Sequence, residues 1–95
     1  MNYEWDRNKA AANLRKHRVD FLDAIAAMED PIRLEEIDPD LGSGEERIQV
    51  IGMARGSILF VVATMRDEET CRIISARKAT RHEQDRYFAS DRESW

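Results

Sequence analysis

Arg47-Ile48-Gln49-Val50-Ile51-Gly52-Met53-Ala54-Arg55-Gly56-Ser57-Ile58-Leu59-Phe60-Val61-Val62-Ala63-Thr64-Met65 reads as a β-hairpin. Two apolar, β-branched runs flank Arg55-Gly56, a two-residue turn signal. With that turn, Ala54 faces Ser57, Gln49 faces Val62 and Arg47 faces Thr64. Paired residues share a face of the sheet. Arg47, Gln49, Thr64 and Arg66 are therefore expected on one side, near one end, and Ile48, Val50, Val61 and Ala63 on the other. Ile58 to Ala63 has no polar member, which predicts a central strand covered on both faces.

Working outward, Asp67-Glu68-Glu69 reads as a second turn and Cys71 to Ala76 as the last strand. Its register has two solutions. A two-residue turn at Glu68-Glu69 puts Ile73, Ser75 and Arg77 on the Arg47 face. A three-residue turn flips the strand and brings Arg72 there instead, level with Thr64. Thr80-Arg81-His82-Glu83 has the form of a capping box, so a helix is expected from Arg81 to about Ala89. On the other side of the hairpin, residues 40 to 44 read as a loop and Ile32 to Asp38 as a weakly alternating strand. Pro31 ends a helix, because the residue before proline is pushed out of the α region. That helix is capped by Asp20 and has a core stripe of Phe21, Ala24, Ile25 and Met28. Asp6 caps an earlier helix from Arg7 to about His17. Asn2 to Trp5 alternates as a short edge strand. The fold class is α+β: a small single domain over residues 1–95, with helices packed on an antiparallel β-sheet and a C-terminal helix.

The chain has 95 residues and a net charge of −4, placed unevenly. Arg7, Lys9, Arg15, Lys16 and Arg18 stand together with no acid among them. Residues 20 to 46 are strongly acidic, with Arg33 their only base. From Arg72 to Arg86 the bases Arg72, Arg77, Lys78, Arg81 and Arg86 face two acids, Glu83 and Asp85. Both flanks can form a positive surface on an acidic chain, which suits a polymeric anion such as nucleic acid. The acidic total disfavours nonspecific DNA coating. No apolar run is long enough for a membrane span, and the first residues do not have the pattern of a signal peptide. Cys71 is the single cysteine, so no internal disulfide forms. A cytoplasmic location follows as the simple expectation, with Cys71 as a buried filler.

His17, His82 and Cys71 complete no metal-ligand spacing, and no phosphate-binding glycine loop is present. The chain does have the parts for metal-free RNA cleavage. That reaction needs a base for the 2′-hydroxyl, cations for the phosphorane charge and an acid for the leaving 5′-oxygen. Arginine binds phosphate through paired donors, and Glu or His moves protons. Arg66 and Arg77 have the weakest structural excuse, since guanidinium is rarely placed beside a sheet for packing alone. Glu83 has a second explanation in the capping box.

Over residues 3 to 88 the chain resembles the BrnT family of type II toxin–antitoxin ribonuclease toxins. The resemblance rests on Trp5-Asp6, Lys9, Asn13, Lys16-His17, Val19, Phe21, Asp30-Pro31, Glu45-Glu46-Arg47, Gly52, Val61-Val62, Thr64 and Arg66. It continues through Arg72 to Arg77, Ala79, Glu83 and Tyr87. It implies a RelE-like fold, RNA cleavage that arrests translation, no cofactor, and a BrnA-like antitoxin that carries the DNA-binding module. Arg66, Arg77, Glu83 and His17 are then the catalytic candidates. Lys9, Lys16, Arg47, Arg72, Lys78 and Arg81 are the RNA-binding candidates. A non-catalytic module acting as corepressor with a DNA-binding partner is the alternative. A general RNA-binding domain ranks behind both, because the sheet offers only Phe60 for base stacking. The family has glycine after Lys-His where this chain has Arg18. Either Arg18 takes a left-handed conformation at about 1 kcal/mol, or the helix ends differently.

Overall fold

The computed structural model describes residues 1–37 and 46–93, so the loop expected over 40 to 44 lies outside the described residues. In chain order the elements are β1 (Asn2–Glu4), α1 (Arg7–His17), α2 (Phe21–Met28), β2 (Leu34–Ile37), β3 (Arg47–Ala54), β4 (Ser57–Met65), β5 (Thr70–Lys78) and α3 (Arg81–Glu93). No helix among the described residues is long and apolar enough to cross a membrane.

The five strands are ordered β1-β5-β4-β3-β2, so the apolar β4 is central. The β3–β4 register is the expected one, with Ala54 opposite Ser57 and Arg47 opposite Thr64. The sheet is mixed rather than antiparallel, because β1 runs parallel to β5, Asn2 pairing with Thr70 and Glu4 with Arg72. Hairpins join antiparallel neighbours, whereas parallel ones need a long crossover. Here nearly the whole fold separates β1 from β5, and side-chain alternation in β1 says nothing about strand direction.

Both helix starts are held as the sequence indicates. The Asp6 carboxylate accepts from the N–H groups of Asn8 (2.8 Å) and Lys9 (3.1 Å), and Asp20 accepts from that of Leu22 (2.8 Å). At the end of α1, Arg18 takes the left-handed conformation (φ 59°, ψ 30°), and its N–H returns to the Leu14 carbonyl. A Cβ is disfavoured there and glycine is not. Arg18→Gly is therefore expected to stabilise the fold by about 1 kcal/mol, read as a higher urea midpoint. An unchanged or lower midpoint would show that the Arg18 side chain compensates for its backbone.

Helices α1 and α2 cover one sheet face. The core there contains Val19, Phe21, Ala24, Ala27, Val50, Leu59, Val61, Ala63, Cys71, Ile73 and Ala76. Trp5 closes its edge, meeting Phe21 edge-to-face at 6.0 Å. Cys71 is buried in this core, and burial pushes its thiol pKa up. Helix α2 lies directly on β3: a Cβ added at Gly52 would come within 2.1 Å of the Ala27 carbonyl oxygen. No side chain fits between these backbones, which explains glycine in the middle of a strand.

Asn13 ties α1 to β5. Its amide nitrogen donates to the carbonyls of Val19 (3.0 Å) and Ala76 (2.8 Å), and its oxygen accepts the Ala76 N–H (3.1 Å). β1 pairs with β5 only from Thr70 to Arg72. Beyond that point the β5 edge has no strand partner among the described residues, and Asn13 satisfies Ala76 in its place. Asp6 feels the charge of Arg72 at one end, and Asn13 bonds Ala76 further on. Helix α1 thus runs along β5 in the same direction, and its last turn, with Lys16 and His17, extends about 6 Å past Asn13 toward the Lys78 end.

Candidate active site and nucleic-acid interface

The β4–β5 pairing resolves the register question by combining both solutions. From the turn, Met65 pairs with Cys71, Thr64 with Arg72 and Ala63 with Ile73. A bulge follows, after which Val62 pairs with Ser75, Val61 with Ala76 and Phe60 with Arg77. Ile74 is the extra residue. Before it the strand has the phase of the longer turn, and after it that of the shorter one. As a result Arg72, Ser75 and Arg77 all reach the face opposite α1 and α2, the face of Arg47, Gln49 and Thr64.

This second face is built in rows. Arg47, Thr64 and Arg72 stand side by side on β3, β4 and β5, with Glu4 of β1 next to Arg72. The following row is Glu36, Gln49, Val62 and Ser75, and the third is Leu34, Ile51, Phe60 and Arg77. β4 was expected to be covered on both faces, but Phe60 and Val62 are only half-buried. Helix α3 covers the end of this face nearest the β3–β4 turn, where Tyr87 packs with Ile51, Ile58 and Ala79. Among the described residues the arginine-lined remainder is open only in its middle rows, where Gln49, Phe60, Val62 and Ser75 are half-buried; in the first row Thr64 is buried, its Oγ1 donating to the Glu46 carbonyl. Hydropathy cannot distinguish Phe60 and Val62 under a helix from the same residues beneath arginines.

Helix α3 begins with both halves of the capping box: the Glu83 N–H donates to Thr80 Oγ1 (3.2 Å), and the Thr80 N–H donates to Glu83 Oε1 (2.8 Å). Its position is fixed by the buried Tyr87 hydroxyl, which donates to Asp30 at 2.5 Å. Asp30 also accepts from the N–H groups of Met53 (2.8 Å) and Ile32 (3.0 Å). Partial burial pushes the Asp30 pKa up, but the bonds from Tyr87, Met53 and Ile32 outweigh it and hold it below the usual carboxylate range. The i, i+3, i+4 spacing puts Glu83, Arg86 and Tyr87 on one side of α3. Arg86, absent from the sequence-based candidates, pairs with Glu36 at the border of the open face.

Arg77 is the most constrained cation of this face. Its Nη1 and Nη2 donate to the two Glu83 oxygens at 2.8 and 2.9 Å, and Nη1 also donates to the Lys78 carbonyl at 3.2 Å. Its guanidinium lies over the Phe60 ring, 4.2 Å from the centroid. The Arg77 bonds hold the Glu83 pKa below its ordinary value, and Glu83 in turn raises that of Arg77. Both Glu83 oxygens are thus engaged, by Arg77 and by the Thr80 N–H. The Nε–H of Arg77 and one Nη2–H, the side-on pair, have no partner among the described residues.

The other candidates fall into two groups. Lys78 and the exposed Arg81 lie at the Arg77 end, and α1 carries Lys16 and His17 toward it. At the opposite end stand Arg47, Arg72 and the exposed Arg66, with Lys9 in the first turn of α1. Arg47 Nε is buried without a hydrogen-bond partner among the described residues. Arg72 is 3.6 Å from Glu4, and Arg81 pairs loosely with Asp85. Arg66 lies six residues beyond Phe60, roughly 20 Å along the sheet, so Arg66 and Arg77 do not meet at one phosphate. No group of three or more His, Cys, Asp or Glu capable of holding a metal occurs among the described residues.

Asp30 and Glu83 make an acid-sensitivity prediction. A carboxyl whose pKa is depressed by folding adds stability above its unfolded value, about 4, and loses it as pH falls through the folded value. The urea midpoint is expected to drop between about pH 5 and pH 3, less steeply in Glu83→Gln. An acid profile unaffected by that substitution would count against the Arg77–Glu83 pair as a contributor.

A family model described as the ribonuclease toxin BrnT of a type II toxin–antitoxin system matches residues 5–83. The chain belongs to the BrnT family. Among solved structures, the Brucella abortus ribonuclease toxin BrnT, in a 1.1 Å crystal structure, superposes with a TM-score of 0.63 and 26% identity. The match covers 85% of this chain and 99% of that one. A search of curated proteins finds no match. The BrnT family is one of type II ribonuclease toxins, so membership implies an antitoxin partner.

Proposed function

We propose that this BrnT family member is a cytoplasmic, metal-independent endoribonuclease of RelE-like kind that arrests translation, and that its substrate lies across the open arginine-lined face. The observation that carries this reading is Arg77, held by Glu83 and Phe60 with its side-on donor pair unpartnered among the described residues. A planar pair of this kind matches two phosphate oxygens. Preoriented donors stabilise developing charge at no reorganisation cost. In this reading Arg77 binds the scissile phosphate, Glu83 positions Arg77, and His17 serves in proton transfer from the end of α1. Lys16, Lys78 and Arg81 hold the strand near the cut. Arg47, Arg72, Arg66 and Lys9 contact it further along.

The antitoxin in this proposal is BrnA-like and carries the DNA-binding module, leaving this acidic chain to reach DNA only through its partner. Covering the basic face is the simplest route to inhibition. Exposed Leu14, on the basic helix α1, offers an apolar contact beside Arg15 and Arg18.

The purified protein is expected to cleave single-stranded RNA in EDTA. Cleavage abolished by EDTA and restored by Mg²⁺ would refute the metal-free mechanism. A folded protein that leaves RNA intact in both conditions, yet binds the product of the neighbouring reading frame, would favour the non-catalytic corepressor.

A further inference from the structure

Phosphate binding uses the edges of a guanidinium and leaves its planar face unused. One side of the guanidinium rests on the Phe60 ring at 4.2 Å. One edge is held by Glu83 and the Lys78 carbonyl. The side chain is nevertheless 35% exposed. With one plane and one edge occupied, the outer plane and the Nε edge are the parts of the guanidinium left for a ligand. An ordinary surface arginine swings through many rotamers, but this one is held by the Glu83 bonds with its Cζ over the Phe60 ring.

We infer that the outer plane of Arg77 is a stacking shelf for one nucleobase of a single-stranded RNA, completing a Phe60–guanidinium–base sandwich. The inference rests on the proposed reading of this face as the RNA site. Unstacked bases bind on aromatic rings and on arginine planes, and the ring beneath favours the cation through its quadrupole. Phe60 alone is a poor platform, since it is half-buried and capped. Arg77 extends the platform outward by one layer. The free Nε edge beside the shelf is placed to take a phosphate of the same strand, so one side chain holds both parts of a nucleotide. A duplex keeps its bases stacked on each other and cannot use the shelf. The site therefore selects unpaired RNA without requiring a base-specific hydrogen bond.

The test uses a short RNA made uncleavable by 2′-O-methyl groups, together with versions in which one base at a time is removed and the backbone kept. Affinity for the full-length protein is read by fluorescence anisotropy. At one position, base removal is expected to weaken binding roughly tenfold. In Arg77→Lys, which keeps the charge and loses the plane, the intact RNA should bind more weakly and that base-removal penalty should vanish. Phe60→Leu, which leaves the cation and removes the ring, should reduce the penalty while circular dichroism stays unchanged. A penalty of equal size in wild type and Arg77→Lys, or RNA binding insensitive to every base, overturns the stacking shelf and leaves the phosphate reading standing. Failure of the wild type to bind or cut any RNA overturns both.

Discussion

Arg77→Ala is expected to lower RNA cleavage by about 10²–10³-fold, the loss typical of removing one preoriented donor to developing charge. The argument rests on rigidity. Arg77 is the cation held at once by a two-point ion pair and an aromatic ring. In the proposed reading its donors therefore meet the scissile phosphate without a search through rotamers. The fold should tolerate the change. Glu83 keeps its capping bonds with Thr80, so loss of this half-buried pair should lower the urea midpoint without unfolding the protein. Single-turnover cleavage and a urea titration on the same sample separate the two effects. Arg66→Ala should behave differently. Its side chain is on an exposed turn roughly 20 Å away, so it should weaken substrate binding and leave the chemical step near its normal rate. Full cleavage by a folded Arg77→Ala protein would remove Arg77 from the site.

Much of this frame is legible in the chain because it is locally encoded. Arg55-Gly56 fixes the hairpin register, since two residues admit one pairing. Asp6, Asp20 and Thr80 announce helix starts because each carries its own hydrogen-bond acceptor to the next turn. The bulge at Ile74 is different. Nothing in Arg72-Ile73-Ile74-Ser75 marks an extra residue, and only the sheet reveals that both registers hold, one on each side of it. The parallel β1 is similarly silent, as is the role of Asn13, whose partners lie 63 residues away at Ala76. The function of Glu83 was legible as a choice between cap and catalyst. The structure adds a partner, Arg77, because the strand register decides which arginine the Glu83 carboxylate meets. Phe60 shows the reverse: its apolar neighbours suggest a covered core, whereas its partner is a guanidinium on the open face.

Asn13→Ala is expected to destabilise the protein by about 3 kcal/mol and to lower cleavage even where the fold survives. Each buried backbone group left without a partner costs roughly 1–3 kcal/mol. The substitution strands the N–H and carbonyl of Ala76 and the carbonyl of Val19. Water can relieve part of this, which keeps the figure near the lower end of the sum. Leu in place of Asn supplies volume without hydrogen bonds, so Asn13→Leu should be no more stable than Asn13→Ala. That comparison distinguishes lost polar partners from a lost side chain. Asp in place of Asn can accept from the Ala76 N–H, but it sets a negative charge against two carbonyl oxygens, so it should be at least as damaging at neutral pH. The effect on cleavage follows from chain order. Ala76 precedes Arg77 and stands two residues after the bulge, on the part of β5 where β1 no longer pairs. When this edge frays, the Arg77 backbone moves relative to Glu83 on α3 and to Phe60 on β4. Amide exchange at Ala76 and Arg77 should accelerate in the variant while exchange in the β3–β4 hairpin stays slow. Uniform acceleration across the sheet would show instead that Asn13 supports global stability and does not specifically hold the strand that carries the site.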